Sequence, residues 1–248
     1  MGASEGAAGN ISVCLRRQVD VSARFPRTRE LALPHPVPGM AESTFIVTGS
    51  GRRLREIMDA PTASLACLTV KENGQTGQLH TAEDCPFERV TSEFNSHLAV
   101  HHDRMRAENI GFHAIIHAQP VYLTYLSHIP RYWDETHLNR RLLRWQPEAI
   151  INLPEGIGMI PFYVPGSADL MSASAASLQK HQITIWAKHG VMVRSDDSLD
   201  HAVDLLEYAE TAAKYEYLNL TAHEIGEGLT AEEIRAICRA FHVKQDIF

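Results

Sequence analysis

The stretch "FHAIIHAQPVY" (112–122) sets His113 and His117 four residues apart around three apolar residues. Imidazoles at regular spacing can hold a divalent metal, so the local geometry decides what this pair can do. On a strand, positions 113, 115 and 117 share a face, but residues four apart are separated by roughly 13 Å, too far to share one ion. Positions two apart lie about 7 Å apart, a gap that two imidazoles can close on a metal. The strand partner of His117 in such a pair is position 115, and that residue is Ile115. Helical geometry would reunite 113 with 117, but "AII" running into Pro120 reads as a buried strand. His113 is therefore read as structural, near the strand's entrance.

Other groups could also do chemistry. In "AKHGV", a Lys-His-Gly break between two strand-like runs either holds His189 at a strand end aimed into a pocket or leaves it as a solvated turn histidine. Taken alone, the solvated turn is the simpler reading. "TSEFNSH" puts Thr91 and Ser92 before Glu93 at a helix start, where backbone N–H groups and the helix dipole favour an anion such as phosphate. Ordinary Ser/Thr capping explains the same residues more economically. The glycines of "VTGSG" can cradle an oxyanion, although no lysine-bearing helix follows them.

The elements that would position these groups interleave. "STFIVTGSG", "SLACLTV" and a partner strand beyond the Asn73-Gly74 turn read as strands. "FPRTRELALPHPVPGM" (25–40), with four prolines, reads as an irregular excursion. Residues 91–108 have helical periodicity, with Phe94, Leu98 and Met105 on one face and Thr91 or Ser92 as cap. A helix is expected over 120–128, strands at "EAIINL" and "GIGMIPF", and a helix at "SADLMSASAASLQKH". "QITIWAKHGVMVRS" reads as two strands about the Lys-His-Gly break. The tail carries a helix over 198–218, then one opened by the capping box Thr230-x-x-Glu233. Strands and helices alternating in this way indicate a layered α/β domain.

Bulk properties narrow the partners. The 248 residues suffice for one large domain, and 44% hydrophobic with 21% charged residues is ordinary for a globular protein. A net charge of −7 argues against nucleic-acid or acidic-membrane surfaces. No apolar run is long enough to span a bilayer, and the first residues lack the basic-then-apolar pattern of a signal peptide. Cys14, Cys67, Cys85 and Cys238 are widely spaced with no CxxC, which suits free thiols in a reducing cytosol. A cytoplasmic location is expected.

Taken in order, "EGAAGNISV", "FIVTGSG", "VTSEFNSH", "IIHAQP", "LPEGIGMIPFYVPGS" and "WAKHGV" resemble the class II aldolase/adducin family, closest to its rhamnulose-1-phosphate aldolase branch. The resemblance spans roughly residues 4–240. It implies a three-layer α/β/α sandwich around a mostly antiparallel sheet, a single domain over 1–248, and a cyclic homotetramer. It also implies that "IIHA" stands where relatives have His-x-His-Ala, with both histidines on a divalent metal, usually zinc. His117 matches the second of these, Ile115 replaces the first, and His189 matches a third ligand. Glu93 matches the carboxylate that binds the empty metal or swings away as base. Asn10, Ser50, Thr91 and Ser92 fall where the family holds the substrate phosphate. Glu148, in "RWQPEAI", matches a second acid/base that acts on a neighbouring subunit's site. Two departures stand out. The family's Asn-Gly-Gly-Asn turn is Ala7-Ala8-Gly9-Asn10 here, and no counterpart of the family's N-terminal helix is expected ahead of it.

The implied metal set is two histidines and one carboxylate, His117, His189 and Glu93, a set that suits Zn²⁺, Fe²⁺ or Mn²⁺. The implied activity is aldol cleavage of a phosphorylated ketose to dihydroxyacetone phosphate and an aldehyde. Two alternatives keep the fold: a sugar-phosphate 4-epimerase, which uses the same bond cleavage without release, and a non-catalytic, adducin-like assembly module.

Overall fold

The computed structural model describes Ser4, residues 6–223 and residues 225–248. Its strands are β1 (Asn10–Leu15), β2 (Arg27–Ala32), β3 (Thr44–Thr48), β4 (Leu65–Val70), β5 (Thr76–Thr81), β6 (Phe112–Ala118), β7 (Ile157–Ile160), β8 (Ile183–Trp186) and β9 (Gly190–Ser195). Its helices are α1 (Pro61–Ser64), α2 (Phe94–Ala107), α3 (Val121–Leu126), α4 (Glu135–Leu142), α5 (Pro147–Asn152), α6 (Ala168–Leu178), α7 (Leu199–Thr221) and α8 (Ala231–Phe241). Among the described residues the strands form one sheet in the spatial order β2-β5-β4-β3-β1-β6-β9-β8-β7. Every neighbouring pair is antiparallel except β7 with β8.

The period-2 alternation of β6 divides the layers. Ile115 joins Val100 of α2, Leu170 and Leu178 of α6, and Trp186 and Met192 in one apolar cluster. Ile116 and Ala118 point the other way, into a larger cluster with α3, α4, α5 and α7. Both faces of β6 are covered, which is why "FHAIIHA" shows no polar alternation. The architecture is the expected α/β/α sandwich with a mostly antiparallel sheet. Phe94, Leu98 and Met105 all enter a third cluster with Cys14, Phe45 and Val47, as their spacing predicts. The Thr230–Glu233 capping box is formed, with Glu233 N–H donating to Thr230 Oγ1 and Thr230 N–H to Glu233 Oε2.

Four local expectations need correction. "EAIINL" is not a strand: Pro147 occupies the first helical position of α5, Glu148 follows in its first turn, and Asn152 Nδ2 donates back to the Glu148 carbonyl. The proline-rich excursion contains β2, an edge strand lying between Pro26 and Pro34, where proline's missing N–H costs nothing. Neither Thr91 nor Ser92 caps α2, which begins at Phe94 with Glu93 in the cap position and no side-chain cap bond. Helix 120–128 is shorter, Val121–Leu126, with Pro120 just ahead of it at φ −63°. β1 was not anticipated as a strand, although "NISVCL" alternates buried and half-buried residues as a half-covered strand should.

Candidate metal and anion site

β1 lies antiparallel to β6 in a register that places Asn10 opposite His117, Ser12 opposite Ile115 and Cys14 opposite His113. The register therefore brings Asn10 and His117 to one end of the sheet, on the face that α2 covers. Glu93, at the start of α2, is 5% exposed and points back at both strands. The fourth contribution comes from the β8–β9 turn. Lys188 takes the left-handed conformation, φ 62°, unusual for a residue with a Cβ. The Lys188 N–H donates to Ser127 Oγ at 2.8 Å, and the Lys188 ammonium lies 5.4 Å from the Trp133 ring centroid. Held this way, the turn swings His189 inward. Gly190 is required beside it, because a Cβ there would meet the Ala118 carbonyl at 2.4 Å and the His117 ring at 3.1 Å.

One ligand atom each from Glu93, His117 and His189 lies within 4.8 Å of the other two. His117 Nε2 is 3.5 Å from Glu93 Oε2, and His189 Nε2 is 3.3 Å from Glu93 Oε1. His117 Nδ1 donates to the Val191 carbonyl at 2.9 Å, which fixes the ring with Nε2 turned toward Glu93. Its ring stacks on Trp186, centroids 4.5 Å apart. Burial, reinforced by nearby His117 and opposed by Glu93, holds His189 below the ordinary imidazole pKa. Two imidazole nitrogens and a carboxylate that converge within this distance are a donor set that a divalent cation takes. The residues present fit such an ion. His189 is thus the inward-facing group and not a solvated turn residue; its side chain is 12% exposed.

The cluster forms one wall of a cavity of about 160 Å³. Ala7, Ala8 and Gly9 line it from the turn before β1 and Asn10 from the first position of β1, with Gly49, Ser50, Gly51 and Arg52 from the turn after β3. Thr91, Ser92 and Gln119 complete it. All four residues expected to hold phosphate, Asn10, Ser50, Thr91 and Ser92, are therefore brought together with the metal set. Asn10 has a further contact, its Nδ2 donating to Glu93 Oε2 at 2.8 Å. Two lining residues, Arg52 and Gln119, escaped the sequence reading. Gln119 lies two residues beyond His117, so strand alternation could have found it. Arg52 directly follows the glycine turn "VTGSG". Its Nη2 pairs with Glu56 at 2.7 Å while its Nε is buried without a partner among the described residues.

One expected site residue lies elsewhere. Glu148 is exposed on the first turn of α5 and does not line the cavity. Ile115 is fully buried in the apolar cluster behind His117, and His113 is buried farther along the strand, as its structural reading requires.

Residues 1–217 match the family model described as Class II Aldolase and Adducin N-terminal domain. The chain belongs to this family. It is 31% identical over 218 residues to a rhamnulose-1-phosphate aldolase of Enterobacter sp. (strain 638), covering 88% of this chain and 78% of that relative. A rhamnulose-1-phosphate aldolase of Yersinia pestis (strain Pestoides F) is 28% identical over 248 residues, 98% of this chain and 88% of its own. Among solved structures, a sugar-phosphate aldolase from Thermotoga maritima superposes with a TM-score of 0.75 at 27% identity, covering 92% of this chain and 91% of the other. The chain is an aldehyde-lyase with the class II aldolase fold, and sugar-phosphate aldolase activity is the supported class of function. The Glu93–His117–His189 group accords with the divalent metal that class II aldolases use.

Proposed function

We propose that this protein cleaves a ketose 1-phosphate of the rhamnulose-1-phosphate kind to dihydroxyacetone phosphate and an aldehyde, with zinc held by His117, His189 and Glu93. The observation that carries the reading is a cavity lined both by Glu93, His117 and His189, whose ligand atoms converge, and by the hydroxyls of Ser50, Thr91 and Ser92. Ser50, Thr91, Ser92 and the turn glycines offer hydroxyl and backbone donors to a phosphate, and Arg52 adds charge. Asn10 holds Glu93 from one side. When bound, the cation supplies Lewis-acid polarisation of the ketone and hydroxyl oxygens of the three-carbon fragment.

Glu93, within the same cavity, moves the proton at the carbon that gains electrons when the carbon–carbon bond breaks. Burial at the start of α2 keeps it out of bulk water, and Asn10 orients it. Glu148, supplied by a neighbouring chain of a cyclic tetramer, handles the hydroxyl that becomes the aldehyde. Its exposed place on α5, outside its own cavity, is compatible with service to a neighbour. We further read the chain as one domain and as cytoplasmic; all four cysteines are free thiols, and no helix among the described residues is long and apolar enough to cross a membrane.

A panel of ketose 1-phosphates, presented to zinc-loaded protein and scored for dihydroxyacetone phosphate, tests the proposal. Release from at least one substrate, abolished by Glu93→Ala, is expected. Conversion to a C4 epimer without release would make the protein an epimerase, and no reaction with any substrate would sink the lyase reading.

A further inference from the structure

Behind the metal set, leading away from Asn10, lies a run of buried polar groups that the proposed chemistry does not use. Asn10 Oδ1 is 2.5 Å from His97 Nε2. His97 Nδ1 is 2.6 Å from Ser12 Oγ, which is 2.7 Å from His101 Nε2. His101 Nδ1 is 2.7 Å from His113 Nδ1. Ser12, His97, His101 and His113 are all 0% exposed. The residues come from three elements: Asn10 and Ser12 alternate on β1, His97 and His101 stand one turn apart on α2, and His113 opens β6.

Only one assignment of protons satisfies every link from the Glu93 end. The Glu93 carboxylate accepts only, so the Asn10 amide must turn its NH₂ group toward it. Asn10 Oδ1 then needs a donor, and His97 Nε2–H provides it. A neutral imidazole has one N–H, so His97 Nδ1 accepts from the Ser12 hydroxyl. The Ser12 oxygen accepts in turn from His101 Nε2–H, and His101 Nδ1 accepts from His113 Nδ1–H. Burial keeps all three rings neutral: His97 and His113 are held at about 3, and His101 well below its ordinary value.

The run ends at His113 Nε2, which has no hydrogen-bond partner among the described residues. Asp196 Oδ1 is 3.8 Å away. Arg104 Nη2 at 2.6 Å and Arg194 Nη1 at 3.6 Å draw the Asp196 charge away from it. Reversing every bond would give His113 Nε2 a proton to share with Asp196. It would also put the Asn10 oxygen against the Glu93 carboxylate, two buried acceptors face to face, which is the costlier mismatch.

We propose that His97 is a positioning residue: oriented by Ser12, His101 and His113, it fixes the Asn10 amide so that its NH₂ group, and not its oxygen, meets Glu93. This rests on the reading of Glu93, His117 and His189 as the metal set. Without the chain, nothing would hold the amide against a flip when a cation or substrate pulls on the carboxylate. Outer partners that orient a ligand in this way typically change metal affinity by about 10–100-fold when removed.

Two measurements test it. The first is nitrogen NMR of metal-free, ¹⁵N-histidine-labelled protein at pH 7.5, with resonances assigned through His→Gln variants at 97, 101 and 113. Neutral Nε2–H tautomers at His97 and His101 with Nδ1–H at His113 are expected. An Nδ1–H tautomer at His97 would overturn the proposal. The second is titration with Co²⁺ alone, followed by its visible absorption. His97→Leu, which leaves Asn10 Oδ1 without a donor, should weaken binding about 10–100-fold and alter the spectrum. His97→Gln, which keeps a donor at that end, should stay within a few-fold of wild type. Equal losses in both variants, or none in either, would overturn it. The NMR arm needs neither metal nor substrate and uses the unaltered chain. Correct tautomers in a protein that cleaves no ketose 1-phosphate would count against the lyase reading alone. An active lyase with the wrong His97 tautomer would count against the positioning chain alone.

Discussion

Asn10 and His117 are cross-strand partners, and both end on the same oxygen of Glu93: Asn10 Nδ2 at 2.8 Å and His117 Nε2 at 3.5 Å from Oε2. His189 takes the other oxygen. A bound cation would therefore find one carboxylate oxygen already shared with a donor, and would depend on both imidazoles. His117→Ala and His189→Ala should each lose bound zinc by more than the roughly 10–100-fold typical of outer partners, while the fold persists. Elemental analysis after zinc supplementation checks this. Equal, near-zero metal in wild type and both variants would remove the metal set.

Phosphate should stabilise the protein through the rim of Ser50, Thr91 and Ser92. A ligand at a hundredfold excess over its Kd adds about 2.7 kcal/mol of stability, worth roughly 5–10 °C of Tm in a chain of this size. Ser92→Ala should blunt the rise produced by inorganic phosphate or a phosphorylated triose. If an unphosphorylated sugar raises Tm as much, the rim does not recognise phosphate.

The buried histidines fix a direction for stability against pH. His97 and His113 are depressed to about 3 and His101 well below its usual value, mainly by burial. Unfolded, each would titrate near 6.5. Below that pH the unfolded chain binds protons the folded chain refuses, so stability is full above about 6.5 and falls as pH drops toward 3. His97 and His113 each contribute a slope approaching about 1.4 kcal/mol per pH unit in that window, and His101 acts in the same direction. Slopes of this size are large against the 5–15 kcal/mol of a typical domain. Urea melts between pH 7.5 and 4.5 should show a steep loss, and a flat profile would mean that these histidines are not neutral in the folded state.

Much of this arrangement is legible in the sequence where local pattern and long-range packing agree. "AIIHA" reads as a buried strand because it lacks polar alternation, and β6 is covered on both faces. The Phe94, Leu98, Met105 stripe and the Thr230 capping box follow from helical spacing alone. "EAIINL" misled because a short apolar run suits either state, and Pro147 with Glu148 tipped it to a helix start. The histidine run behind Asn10 was invisible for a different reason. His97 and His101 lie one turn apart on one helix, yet nothing local says that Ser12 and His113 meet them. Only the β1–β6 register does so.

Ile115 offers a direct probe of that register. It shares a face with His117 two residues along, a spacing of about 7 Å that two imidazoles can close on one ion. Ile115→His should tighten zinc binding. It should also cost stability, because Ile115 is fully buried against Val100, Trp186 and Met192 and an imidazole there must find a partner. A cost of about 1–3 kcal/mol is expected. Lower stability with no gain in zinc affinity would show that position 115 cannot reach the ion.

The last prediction concerns Glu148 and whose cavity it serves. It is exposed on the first turn of α5, and its own chain's cavity is lined without it. If it acts on a neighbour in a ring of identical, head-to-tail contacts, every site is built from two chains. Glu93→Ala and Glu148→Ala should then each be nearly inactive alone. Unfolded together and refolded as a mixture, some sites would pair an intact Glu93 with an intact Glu148 from the adjacent chain. Random mixing puts about a quarter of sites in that state, the product of two even chances. Activity recovered to about that fraction of wild type is the expected result. A Glu148 that worked within its own chain would give no recovery, because every chain in the mixture lacks one of the two groups. A mixture that assembles and binds zinc but stays inactive would therefore refute the shared site. A Glu148→Ala protein that is fully active on its own would remove Glu148 from the chemistry altogether.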